Sequence, residues 1–325
     1  MIGLIDVDGP LPNLALMKIS QYYKSIGEDV EFVRPDTKYM KIYASAIFSR
    51  SKPICEALLE KYGDNIEIGG TGWNIKKRLP PEIEVCKPDY FLYSADMVAG
   101  KIKGIMNRKT RLLKAAQITE AGVGFSSRGC VRNCPFCVIA AKEGKLRQDS
   151  EIRDIINPKS NIVILHDNNL TADPNCLEKL KEIRERNLIV DIDQGCDVRL
   201  ITDEIAAALA GVRHLRSLHY SWDLMEYERQ VLRGIKTLFK HVRPYQHMCY
   251  MLVGFNTGFD EDIYRFRKLV EMKIKPYVMI YNEKQDVRLK HFARWVNAHI
   301  HTQCSFDEYT PWLKAQKEGT FVTSV

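Results

Sequence analysis

The chain has no apolar run near the roughly 18 residues that a membrane-spanning helix needs, which excludes a helical membrane protein. It also lacks a secretory opening. MIGLIDVDGPL puts acids where a signal needs a basic flank and a long apolar core. The expected address is the cytoplasm, where thiols stay reduced, so nine cysteines imply no disulfide framework. Six of them (Cys55, Cys86, Cys176, Cys196, Cys249 and Cys304) are scattered singly and read as small core residues. The eight histidines show no ligand spacing, and His299 and His301 read as surface or core polar residues. There is no low-complexity segment and no strict repeat. A hydrophobic content of 45% is globular rather than disordered.

What is present is 325 residues, enough for about two domains, with a formal charge of +7. That charge suits an anionic substrate, although many cytoplasmic enzymes carry as much. Strands are expected at Gly3–Asp8, Val30–Val33, Ile42–Phe48 and Asn65–Ile68. Helices are expected after an Asn13 cap and at Ile54–Tyr62. The alternation implies a parallel sheet covered by helices, a Rossmann-like domain over residues 1–100. The acid-free run GKIKGIMNRKTRLLK (Gly100–Lys114) then marks a basic linker or connecting helix, assigned to 101–118.

Beyond it the alternation resumes. Strands are expected at Gly122–Phe125, Ile162–His166, Leu188–Ile192, Leu215–Tyr220, Met248–Val253 and Tyr277–Tyr281. Asp173 before Pro174, and Thr202, are the expected caps of two intervening helices. A third helix should bury Met225, Leu232, Ile235 and Leu238. A fourth, from Asp260, should bury Ile263, Phe266, Leu269 and Val270. Six βα units point to a barrel or a large open α/β sheet, with the site on the rim of strand C-terminal ends. Residues 291–325 form an extension, in which Trp295, Tyr309 and Trp312 are expected to pack over the barrel mouth.

The densest chemistry is SSRGCVRNCPFC, with Cys130, Cys134 and Cys137 spaced Cys-x3-Cys-x2-Cys just past the first strand of the second array. Cys134-Pro135-Phe136-Cys137 as a redox pair leaves Cys130 idle. Structural zinc needs four ligands, and no second pair stands at a typical offset. A four-cysteine iron–sulfur cluster lacks its fourth ligand too. The spacing favours a cluster with one open iron, with zinc and the redox pair as competing readings.

This spacing, with Phe136 before the last cysteine and the placement ahead of a βα array, resembles the signature of the radical S-adenosylmethionine superfamily. The resemblance spans roughly residues 119–290. It implies a partial (β/α)6 barrel behind an N-terminal Rossmann-like parallel α/β domain. It implies a [4Fe-4S] cluster on Cys130, Cys134 and Cys137, whose open iron takes S-adenosyl-L-methionine. It also implies a low-potential electron donor such as flavodoxin or ferredoxin. SRGC-x3-C-x2-C followed by Lys142, Lys145 and Arg147 is similar to the methylthiotransferase and cobalamin-binding groups. Methylthiotransferase activity in its usual form is rejected, because only Cys55 and Cys86 precede the cluster. Cobalamin is a weak expectation, because Asp6-Val7-Asp8-Gly9 lacks the histidine of the ligand motif.

Family positions then suggest the cofactor contacts. Asp167, Asn168 and Asn169 stand where the methionine amino group is usually held; their alternative is a loop cap. Arg199 is placed to bind the methionine carboxylate, with an ion pair to Asp197 or Asp193 as the alternative. Ser221 or Asp223 would bond the ribose or cap the next helix, and Asp223 leans to the cap. Gly254 would admit adenine, and Phe136 would offer it backbone contacts. Tyr281 and Asn282 face the substrate or finish a turn. Arg128 and Arg132 neutralise the cluster or steer an anion.

The expectation is an enzyme that cleaves S-adenosylmethionine reductively and abstracts hydrogen from an unidentified substrate. The Lys101–Lys114 stretch tilts that substrate toward a nucleotide or nucleic acid. The rival is a noncatalytic zinc- or iron–sulfur-binding module, or one that binds nucleic acid.

Overall fold

Short apolar runs become parallel strands, and those covered by helices on both sides leave no face for water. Ile162–Leu165 is buried at every position. In the computed structural model the described residues are 1–9, 11–102, 104, 106–283 and 286–317. Among them no helix is long and apolar enough to cross a membrane.

Two compact units result. One comprises Met1–Ser126 with Val138–Leu165; the other comprises Ser127–Cys137 and the chain from His166 onward. In the first unit, four parallel strands lie in the order Val30–Phe32, Ile2–Asp6, Lys41–Ser45, Ile66–Gly69. The helix Leu14–Ser25 starts at Asn13, whose side chain accepts from the Leu16 N–H as expected. Residues 101–118 contain the end of the helix Ala95–Lys101 and most of the helix Arg108–Glu120. Lys103 and Ile105, part of the expected linker, lie outside the described residues. Gly122–Gly124 pairs in parallel with Ile162–Leu165 in the same unit.

In the second unit, Ile189–Ile192 pairs in parallel with Arg213–His214. Leu218–Ser221, His247–Val253 and Lys275–Ile280 make a parallel trio. All six strands expected after residue 119 form. An isolated parallel bridge joins Cys196 to Tyr220.

Several local expectations need correction. The helix expected to start at Asp173 begins at Cys176. Asp173 instead accepts from the Asn175 N–H at 2.8 Å and ion-pairs with buried Lys179. The helix Glu228–Leu238 buries Val231, Gly234, Ile235 and Leu238, leaving Met225 and Leu232 half-buried. The helix Phe259–Glu271 buries Asp262 and Arg265 beside Phe266 and Leu269, with Val270 exposed. Trp295, Tyr309 and Trp312 are buried, and their ring partners include Phe266, Phe306 and His291. They form an aromatic layer with these rings. Residues 318–325 of that extension lie outside the described residues. Among the scattered cysteines, Cys55, Cys176, Cys196 and Cys249 are buried as expected, whereas Cys86 and Cys304 are half-buried.

Gly234 shows how closely one helix rides on the site. A Cβ there would fall 1.8 Å from the Val198 carbonyl oxygen, in the 3-10 turn Val198–Leu200. Gly234→Ala should therefore destabilise the protein by about 1–3 kcal/mol, although alanine adds about 1 kcal/mol of helix propensity. A rise in the urea midpoint of the variant would contradict this.

Candidate functional site

The cysteine loop belongs wholly to the second unit, and three consecutive side chains of that unit brace it. Fully buried Asp167 uses one carboxylate oxygen to accept from the Ser127 N–H at 2.8 Å and the Ser127 hydroxyl at 2.7 Å. Asn168 Oδ1 accepts from the Gly129 N–H at 2.8 Å. Gly129 has φ 83°, a left-handed conformation that a side chain would strain. Asn169 Nδ2 donates to Cys130 Sγ at 3.4 Å, and the Arg132 N–H donates to the same sulfur at 3.3 Å.

Asn169 is itself held. The Thr171 hydroxyl donates to Asn169 Oδ1 at 3.1 Å and accepts from the Asp197 N–H at 2.9 Å. Asp197 carries the charge pairing of the site. Arg199 grips it with two bonds, Nε at 2.7 Å and Nη2 at 2.9 Å, while Arg132 Nε adds a third at 3.0 Å. The Arg199 guanidinium also lies 4.6 Å from the Tyr227 ring centre. Burial pushes the Cys134 thiol up, and Arg199 opposes it by charge and hydrogen bond.

Burial also works to raise the Asp197 carboxyl, but the Arg199 and Arg132 contacts outweigh it and hold the pKa below the usual range. A carboxyl lowered on folding stabilises the fold above its unfolded pKa. That contribution is lost as pH falls through the folded value. Asp197→Asn should therefore weaken the protein near neutrality and flatten the acid limb of its stability profile. Denaturation midpoints measured from neutral to acid pH would read this. An acid limb as steep as that of the parent protein would contradict it.

The residues singled out from the sequence lie near the cysteines, and their bonds within the chain are these. Asp167, Asn168 and Asn169, expected around a methionine amino group, bond the cysteine loop itself. Arg199 forms the ion pair with Asp197 that was its alternative. Asp193 instead faces His166 Nδ1 at 2.8 Å, and Asp191 faces Arg216 at 3.4 Å. Asp223, expected to cap the next helix, accepts from the Leu252 N–H at 3.2 Å and is bonded by Ser221. The chain after it enters a 3-10 turn with no side-chain cap. Gly254 has φ 78°. The Phe136 ring meets Phe255 edge-on at 5.5 Å, and Phe255 meets Tyr281 at 4.8 Å, an aromatic run beside the loop. Lys142 and Arg147 both pair with Glu143.

Sequence reading missed Ser127, Thr171 and Arg265. Arg265 is fully buried and donates to the carbonyls of Trp222, Asp223 and Leu252. A charged pair at i, i+3 inside an apolar stripe, Asp262 and Arg265, was the available signal.

Among the described residues, no three His, Cys, Asp or Glu side chains converge as ligands of a single metal ion. A four-iron cluster distributes its thiolates over separate irons. Three cysteines on one loop, none in a disulfide and with donors on two of the sulfurs, are a donor set that fits it.

The first unit gives cobalamin no such fit. Asp6 is taken by the Tyr93 hydroxyl at 3.0 Å and Lys101 at 2.6 Å. Asp8 is taken by the N–H groups of Ile47 and Phe48. A Cβ at Gly70 or Gly72 would meet the backbone of Ala46 or Phe48 at 2.2 or 2.4 Å. These groups serve the chain's own packing.

No family model matches the chain, and no curated protein matches it. Among solved structures it is similar to the crystal structure of Streptococcus suis SuiB bound to precursor peptide SuiA. The identity is 15% and the TM-score 0.41, over 62% of this chain and 53% of that one. The chain thus spans about half the length of that structure, and a likeness this shallow carries no assignment.

Proposed function

We propose that this chain is a radical S-adenosylmethionine enzyme of the partial-barrel type, with Cys130, Cys134 and Cys137 holding a [4Fe-4S] cluster. The observation that carries the reading is the braced loop. Three cysteines lie within eight residues, and Asp167, Asn168 and Asn169 bond Ser127, Gly129 and Cys130 of their loop. When bound, the cluster supplies the electron that splits the sulfonium of S-adenosylmethionine, so that hydrogen abstraction from substrate releases 5′-deoxyadenosine.

The chain's own residues then have separate tasks. Asn169 and the Arg132 N–H donate to the Cys130 sulfur and fix its position. Arg199 lowers the cost of charge on Cys134. Asp197 bonds both arginines, so that the two cations stand together beside the cysteine loop without driving each other apart. Phe136, Phe255 and Tyr281 give an apolar, aromatic wall suited to an adenine ring and to excluding water. The cationic helix Arg108–Glu120 supports an anionic substrate, a nucleotide or nucleic acid.

The test is anaerobic reconstitution with iron and sulfide, then S-adenosylmethionine and dithionite. Release of 5′-deoxyadenosine is expected. A colourless zinc protein that releases none would overturn the reading.

A further inference from the structure

One surface of the second unit is not used by this chemistry, yet it adjoins the cysteine loop. The helix Glu228–Leu238 presents Arg229, Arg233 and Lys236 at spacings of four and three, and Lys240 continues the row just past its end. All four are exposed. They line a depression of about 720 Å3 with Leu232 and Thr237 between them. Lys240 is paired with Asp203 at 3.0 Å. Among the described residues, Arg229, Arg233 and Lys236 form no ion pair. The neighbouring acids include Asp203, Glu226, and Glu228, which the Tyr264 hydroxyl engages at 2.5 Å.

The row is tied to the cysteines by contacts. Arg233 Nη2 donates to the Arg199 carbonyl at 3.4 Å, and the Arg199 side chain bonds Cys134. Gly234 seats the helix directly on Val198. Tyr227, immediately before the helix, lies under the Arg199 guanidinium. Cys137 is exposed, and so is Val131. A cationic face thus stands one side chain away from a thiol loop that is open at its edge.

We infer that this helix face is the docking surface for a small acidic one-electron carrier protein. The inference rests on the cluster reading above. The observations that favour this occupant are charge complementarity and nearness to the loop. A cationic row orients an anionic carrier by long-range attraction, and the short path through Arg199 suits electron transfer, which falls off steeply with distance. The balance is simple. One electron leaves the carrier, which is oxidised by one equivalent, and the iron–sulfur centre is reduced by one, with no atom transferred.

The test uses the full reconstituted chain and a reduced acidic flavodoxin as probe. Bleaching of the iron–sulfur absorbance on mixing should slow steeply with added salt. It should slow about tenfold or more at low salt in Arg229→Glu/Lys236→Glu, while reduction by dithionite stays unchanged. Arg233 is left intact because it also touches Arg199. Equal flavodoxin rates in parent and variant would overturn the proposal. So would a variant that loses salt-dependent binding of a labelled oligonucleotide while keeping its flavodoxin rate, since the row would then serve nucleic acid. Carbodiimide cross-linking of flavodoxin carboxylates to Lys236, mapped by mass spectrometry, reads the surface whether or not a cluster forms. A cross-link at Lys236 supports the docking face even if the cluster reading fails. Its absence in the reconstituted protein overturns the face even if the cluster reading holds.

Discussion

Alanine at any one of Cys130, Cys134 and Cys137 is expected to take the reconstituted chain from about four bound irons to a small remainder, and 5′-deoxyadenosine release to background. The loss should be near-complete, because only three protein ligands are available and no spare thiol stands on the loop. Cys176 and Cys249 are the controls. Both are buried, with burial pushing the Cys176 thiol up to about 12 and the Cys249 thiol well above its ordinary value. They are poor metal ligands in the folded chain, so alanine there should leave the iron content intact. Asn169→Ala should fall between these extremes. It removes a donor to the Cys130 sulfur and frees Thr171, but no ligand, so iron affinity should drop about 10–100-fold. Iron per chain, visible absorbance and 5′-deoxyadenosine yield check all three classes. Cysteine variants that keep full iron would place the metal elsewhere and end the proposal.

The graded effect expected at Asn169 marks where sequence reading ran out. The strands were legible because their short apolar runs alternate with helical stretches. The run Ile162–Leu165 has no polar position to confuse it. Asn13 and Thr202 were legible as caps because the cap bond is local, three residues long. The cysteine spacing was legible for the same reason. The bonds from Asp167, Asn168 and Asn169 were not, because their partners stand about 40 residues upstream and only the fold brings them together. Turn-forming side chains there could equally have served a ligand. Arg199 shows a related limit. Guanidinium binds any carboxylate by the same geometry, so type and position could not separate Asp197 from an amino-acid carboxylate. Apolar spacing alone put Val270 in the core and left Asp262 and Arg265 out.

Arg265→Met is the substitution that should cost the second unit most. Arg265 is fully buried, and its guanidinium donates at 2.6–2.8 Å to the Trp222, Asp223 and Leu252 carbonyls and to Asp262. Those carbonyls lie at the ends of two neighbouring strands, beside Ser221 and Gly254, so one side chain ties the backbone on which these candidate contacts sit. Methionine fills much of the volume but leaves a buried carboxylate without its cation, which costs about 3–5 kcal/mol. It also leaves three carbonyls without this donor. Burial already pushes the Asp262 carboxyl up, with Arg265 opposing it. Once Arg265 is gone, the carboxyl should rise further above its unfolded value. A raised carboxyl pKa gives stability that is present at low pH and lost as pH rises through it. The penalty of Arg265→Met should therefore be largest at neutral pH and shrink in acid. Adding Asp262→Leu separates the two roles. If the ion pair were the whole effect, the double variant would return to the parent's stability, as replaced buried pairs often do. The carbonyl contacts make a partial recovery the expected result, with about 1–3 kcal/mol still missing for each acceptor that finds no new donor. Urea midpoints of the single and double variants across pH decide it, and a single variant as stable as the parent at neutral pH would remove Arg265 from any structural role in the site.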